Sequence, residues 1–420
     1  MQAARKFCII VPDGMADWPL AKLSGRTPME VARKPNMDRV AAEGVVGMAR
    51  LVPGKMQPSS DVANLCLLGY DPRKYHTGRG PLEAASLGIK LGPREIAFRL
   101  NLITVDGKGV IEDYCAGEIP SKEAAVIVDA VKAAFADKPV RFHPGISFKH
   151  IMVYFGDAEM APTCFAPHDH MGEDFHLYLP KGPGSELLIE MILASRKLLE
   201  NHEINKVRID LGENPANMIW PWSPGRTPDL EQFESRWGIK GAVICCVDLI
   251  KGIAALAGLD RIDVPGATGS YDTDYAAKGR YAINALRQYD FVFVHVEAPD
   301  TAGHAGDVQQ KIKAIEEIDR HVVGPVHEAL KSHGNYRLLV MPDHPTVIEK
   351  RTHVSEPVPF ALCGAGIGKD RGKSEREEEG GEEAPLPFAE SSVPKTALQF
   401  DEGHRLIEYM IKDGADEREG

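Results

Sequence analysis

Three short apolar runs in this chain end in Pro-Asp, and two of the three aspartates have histidines close by. Asp13 follows Phe7-Cys8-Ile9-Ile10-Val11-Pro12, Asp300 follows Phe291–Val296 and Pro299, and Asp343 follows Arg337–Val340 and Pro342. His304 stands four residues after Asp300, His344 directly after Asp343, and His353 a little further on in KRTHVSEPVPF. A lone aspartate after a strand is ordinarily a turn residue or a helix cap. Three of them, two with imidazoles, instead form a donor set for divalent metal. Mixed carboxylate and imidazole ligation suits Mn²⁺, Zn²⁺ or Co²⁺ better than Ca²⁺. Three Asp and three His are enough for two ions about 4 Å apart, the arrangement of two-metal phosphoryl-transfer sites. On one helical turn the Asp300–His304 spacing puts both side chains on one side. Gly303 and Gly306 would equally let a loop wrap an ion. His168-Asp169-His170 is a weaker metal candidate, with no strand end beside it. His76, His143, His150, His202, His321, His327 and His333 read as ordinary surface or core histidines.

Phosphoryl transfer at such a site commonly needs a nucleophile. In Gln57-Pro58-Ser59-Ser60-Asp61-Val62 a serine leads into a short helical pattern over 61–69. At a helix N-terminus, unpaired N–H groups and the dipole stabilise an alkoxide or a phosphoryl group. The pattern alone fits an N-cap serine equally well and does not choose between Ser59 and Ser60. No GxSxG elbow, P-loop or GxGxxG after a strand is present.

The elements that must position these groups follow from the runs themselves. Short β-branched and aromatic runs read as buried strands of a parallel sheet, each stopped by its proline. Ligands bind at the carboxyl edge of such sheets. Helices are expected near Met29–Glu43, at about 122–136 with Ile127, Val131 and Phe135 on one face, and at about 186–201 capped by Ser185. Another follows His304, with Val308, Ile312, Ile315, Ile318 and Val322 at helical spacing and Asp307 as cap. Strand-like runs mixed with helices between 78 and 237 suggest an inserted α+β domain within a sheet domain of 1–77 and 238–420. The Pro- and Gly-rich segment 212–228 reads as a linker or return crossing, and the charged segment 369–384 as a mobile loop.

The 420 residues are 43% hydrophobic and 26% charged, an ordinary globular composition. A net charge of −12 argues against nucleic-acid or anionic-membrane surfaces. Seven cysteines without CxxC spacing read as reduced, which fits a cytoplasmic protein. No signal peptide or membrane-spanning run is evident.

The segments PDGMAD, SSDVANLCLLGYDP, TGRGPLEAASLG, VPGATGSYDTDYAAK, EAPDTAGHAGD and PDHPTVIEKRTHVSEPVPF, in this order, give the chain a family likeness. It resembles the archaeal-type, cofactor-independent phosphoglycerate mutases of the alkaline phosphatase superfamily over nearly its whole length. The resemblance implies an alkaline-phosphatase-like α/β domain with an inserted cap, and Ser60 as the nucleophile. It implies one divalent ion held by Asp13, Ser60, Asp343 and His344 and a second by Asp300, His304 and His353. Mn²⁺ is the first choice, with Mg²⁺, Zn²⁺ or Co²⁺ as alternatives. It further implies a small phosphorylated substrate gripped by basic side chains, for which Arg79, Arg99, Arg226 and Lys251 are the candidates. The implied reaction moves the phosphoryl group of 3-phosphoglycerate to Ser60 and then to the 2-hydroxyl. The WPWSPGRTP and VEAPDTAGH stretches resemble a branch proposed to phosphorylate homoserine, the second reading. A sulfatase is disfavoured because its C/S-x-P-x-R signature is missing, and a scaffold because the full donor set is intact.

Overall fold

The three Pro-Asp runs are strands, and they are neighbours. Lys6–Pro12 lies between Phe291–Val296 and Tyr336–Val340, parallel to both. They form the middle of an eight-stranded sheet in the order 399–400, 45–49, 358–364, 336–340, 6–12, 291–296, 241–244, 260–261. Five pairings are parallel and two antiparallel, so the sheet is mostly parallel. The computed structural model describes residues 5–368, 387–395 and 398–412. The charged segment 369–384 lies outside the described residues. The chain forms two compact units, residues 1–76 with 230–420, and residues 77–229.

In the sheet unit, Cys8, Ile10, Val292, Val294, Leu338 and Val340 alternate onto one buried face. Ile315, Ile318 and Val322 pack in the same core. The helix Val308–Ile318 begins where expected, with the Asp307 carboxylate accepting from the Gln310 N–H at 3.0 Å. Lys311 of this helix is fully buried. Its ammonium donates to Asp17 at 2.7 Å, to the Ala16 carbonyl at 3.1 Å and to the Thr346 carbonyl at 2.7 Å. One buried cation therefore fixes the loop after Asp13 and the loop after Asp343. The helix expected near Met29–Glu43 is two helices, Pro28–Val31 and Pro35–Glu43. Pro35 forces Lys34 out of helical geometry, to φ −129° and ψ 57°.

The 77–229 unit holds the antiparallel strands Ile96–Val105, Ile111–Asp113, Val140–His143, Lys149–Tyr154 and Met218–Gly225. Met218–Gly225 corrects the linker reading of 212–228. It pairs with Ile96–Val105 alone among the described strands, and an edge position tolerates Pro221. Trp220 and Trp222 of this strand are buried. The helices Ser121–Ala134 and Ser185–Leu199 lie close to the expected ranges, but Gly184, at φ 83°, is the N-cap of the second rather than Ser185. Residues 230–237 group with the sheet unit, where the Phe233 ring lies 4.6 Å from that of Phe291.

No disulfide joins the seven cysteines. Among the described residues no helix is long and apolar enough to cross a membrane.

Candidate active site

Parallel pairing ends the three central strands level with one another. Pro12 is in register with Val296, and Ile10 with Val340. Asp13, Asp300 and Asp343 therefore leave the sheet at one edge, all buried. Gly14 lets the loops nest. It sits at φ +62°, and a Cβ there would lie 2.9 Å from the Asp300 Cα and 2.3 Å from Thr346 Oγ1. Its N–H donates to Asp343 Oδ1 at 3.1 Å. Pro299 is an early residue of the helix Ala298–Ala305 rather than a strand terminator, a place where its missing N–H costs nothing. That helix puts Asp300 and His304 on one turn, with His304 Nε2 3.5 Å from Asp300 Oδ2.

The two adjacent serines have separate roles. Ser59 is the extended N-cap residue of the helix Ser60–Leu67. Ser60 is its first helical residue, and its Oγ lies 3.1 Å from His344 Nε2. From the same helix Asn64 Nδ2 donates to Asp343 Oδ2 at 2.7 Å and to the Ser60 carbonyl at 2.8 Å. Nucleophile helix and carboxylate are thereby tied together.

Hydrogen bonding sets the imidazole tautomers. His304 Nδ1 faces the Arg351 carbonyl at 3.0 Å, and His353 Nδ1 faces the Pro58 carbonyl at 3.4 Å. A carbonyl only accepts, so both Nδ1 atoms carry hydrogen. The Thr346 hydroxyl donates to Asp300 Oδ1 and so accepts from His344 Nδ1 at 3.3 Å. All three Nε2 atoms then turn lone pairs into the site. The Nε2 atoms of His304 and His353 are 2.9 Å apart, and that of His353 lies 3.0 Å from Asp300 Oδ1. Lone pairs and a carboxylate this close need a proton or a metal ion among them.

Neither Asp13 oxygen has a hydrogen-bond partner, although both are buried. Burial, together with the Asp343, Asp300 and Glu297 carboxylates, pushes the Asp13 carboxyl well above its ordinary range. Burial also acts on Asp300, but the hydrogen bond and charge of His353 and the charges of His304 and His344 hold it below that range. Burial pushes His344 and His295 down to about 4, so both are neutral donors at neutral pH. Burial opposes protonation of His353, but the Asp300 hydrogen bond and charge outweigh it and raise this imidazole. Three buried carboxylates, one of them with both oxygens orphaned, and inward lone pairs fit divalent cations.

At this edge of the sheet, among the described residues, three groups have donor atoms within 4.8 Å of one another: Asp300, His304 and His353; Asp13, Asp300 and His344; and Asp13, His295 and Asp343. The structure thus brings Asp13, Ser60, Asp300, His304, Asp343, His344 and His353 to one place. His295 is a further member that sequence reasoning passed over. Its Nε2 lies 3.3 Å from Asp13 Oδ2, and neither ring nitrogen has a hydrogen-bond partner. The only signal was a histidine inside an otherwise apolar strand. His168 and His170 stay outside all of these groups.

Residues 41–205 match the family model described as 2,3-bisphosphoglycerate-independent phosphoglycerate mutase. The enzyme of that name numbered 2 in Methanothermobacter thermautotrophicus is 48% identical over 411 residues, 98% of each chain. That of Methanothrix thermoacetophila is 50% identical, over 97% of this chain and 99% of its own. The chain belongs to this family. A solved Pyrococcus horikoshii protein is 27% identical with a TM-score of 0.76, over 97% of each chain. The cofactor-independent phosphoglycerate mutase of Thermoplasma acidophilum, also 27% identical, has a TM-score of 0.62 over 97% of this chain and 99% of its own.

Within this mutase family chain the four basic candidates divide. Arg79 and Arg99 meet at one ring, their guanidinium carbons 5.5 and 5.2 Å from the Trp222 ring centroid. Arg99 is also bound to Glu83 at 2.6 Å and to Asn101 at 3.1 Å. Arg226 is exposed and donates to the Pro93 carbonyl at 3.3 Å. Lys251 lies in the sheet unit, on the helix Asp248–Leu256, 3.4 Å from Asp263.

Proposed function

We propose that the protein interconverts 3-phosphoglycerate and 2-phosphoglycerate through a phosphoserine on Ser60. The observation that carries this is the Ser60 hydroxyl at a helix N-terminus, 3.1 Å from His344 Nε2 and inside the buried Asp–His cluster. Asp13, Ser60, Asp343 and His344 would hold one divalent ion, and Asp300, His304 and His353 a second, with His295 against Asp13. Mn²⁺ is the first choice for both. When bound, these ions supply positive charge that favours a serine alkoxide and offsets charge on the phosphoryl oxygens.

The chain's own residues account for the rest. The helix N-terminus presents the Ser60 oxygen and stabilises negative charge upon it. Attack forms the Oγ–P bond and breaks the bond from phosphorus to the substrate's 3-oxygen, which takes a proton. The 2-hydroxyl of the retained glycerate then loses its proton, attacks the phosphoserine and releases Ser60. The 77–229 unit is assigned as the substrate-holding cap that keeps out water. Arg79 and Arg99, with Arg226 and Lys251, are assigned to the phosphate and carboxylate, anions that guanidinium groups bind bidentately.

Purified Mn²⁺-loaded protein should convert 3-phosphoglycerate to 2-phosphoglycerate without added bisphosphoglycerate, read by an enolase-coupled assay. No conversion, together with ATP-dependent consumption of homoserine, would establish the homoserine reading instead. The full-length relatives named above carry the mutase name, which favours the first outcome.

A further inference from the structure

At the opposite edge of the same sheet, Glu43, His327 and Cys363 converge. Glu43 ends the helix Pro35–Glu43, His327 lies in the helix Gly324–His333, and Cys363 is near the end of the strand Val358–Gly364. Tyr336, the first residue of its strand, stands beside them. Gly44 allows the approach, since a Cβ there would lie 2.0 Å from the Leu362 carbonyl oxygen. His327 and Cys363 are buried, while the Glu43 side chain is 37% exposed and gives an ion a path from solvent.

Three heteroatoms crowd His327 Nε2: Cys363 Sγ at 3.5 Å, Glu43 Oε2 at 3.4 Å and the Tyr336 hydroxyl at 3.1 Å. An imidazole nitrogen has one bonding direction, either a hydrogen or a lone pair. No tautomer serves all three neighbours. A tetrahedral ion with bonds of about 2.3 Å to sulfur and about 2.0–2.1 Å to nitrogen and oxygen places N and S about 3.6 Å apart and N and O about 3.4 Å apart. The observed separations, 3.5 and 3.4 Å, lie close to those values. All three donor atoms fall within 4.8 Å of one another. Lys331 occupies Glu43 Oε1 at 2.6 Å, which leaves Oε2 for the ion.

We propose that Glu43, His327 and Cys363 form a structural site for a thiophilic divalent cation, zinc or cobalt, separate from the catalytic cluster. Water or the Tyr336 hydroxyl would be the fourth ligand. Binding forms the sulfur–metal bond and releases the thiol proton to solvent. Burial pushes the thiol up to about 12, with Glu43 adding to the effect, so it stays neutral until a cation arrives. The site would tie the helices of Glu43 and His327 to the strand of Cys363, far from the Pro-Asp loops. The proposal does not depend on the reaction assigned above.

Cobalt distinguishes the two places, because the catalytic cluster contains no cysteine. Chelated protein with its thiols kept reduced, titrated with Co²⁺, should develop a near-ultraviolet sulfur-to-cobalt charge-transfer band. Cys363→Ser should remove that band. Glu43→Gln changes a partly exposed group without altering its size and should weaken the cobalt affinity read from the band at least about tenfold, with the far-ultraviolet circular dichroism of the parent retained. Mutase activity of Glu43→Gln should stay unchanged. No band in the parent protein, or a band that survives Cys363→Ser, overturns the proposal.

Discussion

Replacing Ser60 with alanine should lower mutase turnover by at least about 10⁴-fold, in the range seen when a catalytic nucleophile is deleted. Among the described residues its hydroxyl is the one serine oxygen found against the Asp–His cluster, 3.1 Å from His344 Nε2. Structural damage should be slight. Ser59 remains as the N-cap residue, and Asn64 bonds the Ser60 carbonyl rather than its side chain. The carboxylates and imidazoles also remain, so metal content measured by mass spectrometry should stay near that of the parent. Substantial activity in Ser60→Ala would rule out the phosphoserine route. Loss of activity together with loss of metal would make the hydroxyl chiefly a ligand.

Metal affinity should fall steeply as the pH drops through neutrality. The Asp300 hydrogen bond and charge raise the His353 imidazole above its ordinary 6.5 despite burial. Burial and neighbouring carboxylates raise the Asp13 carboxyl. In the metal-free protein both groups hold protons at higher pH than usual, and both must release them to ligate. Each displaced proton costs about tenfold in affinity per pH unit below the raised value. The sign is therefore tighter binding with rising pH, levelling off once both His353 and Asp13 have lost their protons. His344 and His295, pushed down to about 4 by burial, give up no proton in this range. Calorimetric Mn²⁺ titrations across neutral pH check this, and His353→Gln should both weaken binding and flatten the slope. Affinity independent of pH would mean that His353 and Asp13 are not the titrating ligands.

Local pattern made much of this site legible. A strand that ends in Pro-Asp marks itself by composition, and parallel neighbours must end at one edge, so three such strands imply convergence. The Asp300–His304 spacing and the Asp307 cap depend on helical geometry alone. His295 was hidden because its partner, Asp13, belongs to another strand, and nothing near either residue in the chain signals the pairing. The same holds for His327, read as ordinary until Glu43 and Cys363 are seen beside it. Met218–Gly225 was hidden by its prolines, which an edge strand accepts but a propensity reading counts as loop. Pro35 split a helix whose apolar spacing ran on past it. The residue pattern left the two adjacent serines open; the family resemblance implies Ser60, and the start of the helix gives the two their different places. Among the basic residues, charge in the sequence says nothing of partners. Arg99 is bound to Glu83, and Lys251 faces Asp263.

The central claim is that the phosphoryl group passes to Ser60 and returns to the same glycerate. Turnover of 3-phosphoglycerate in the presence of radiolabelled free glycerate tests it most directly. Retention predicts 2-phosphoglycerate without label through many turnovers. Label entering the phosphoglycerate pool in step with turnover would contradict it.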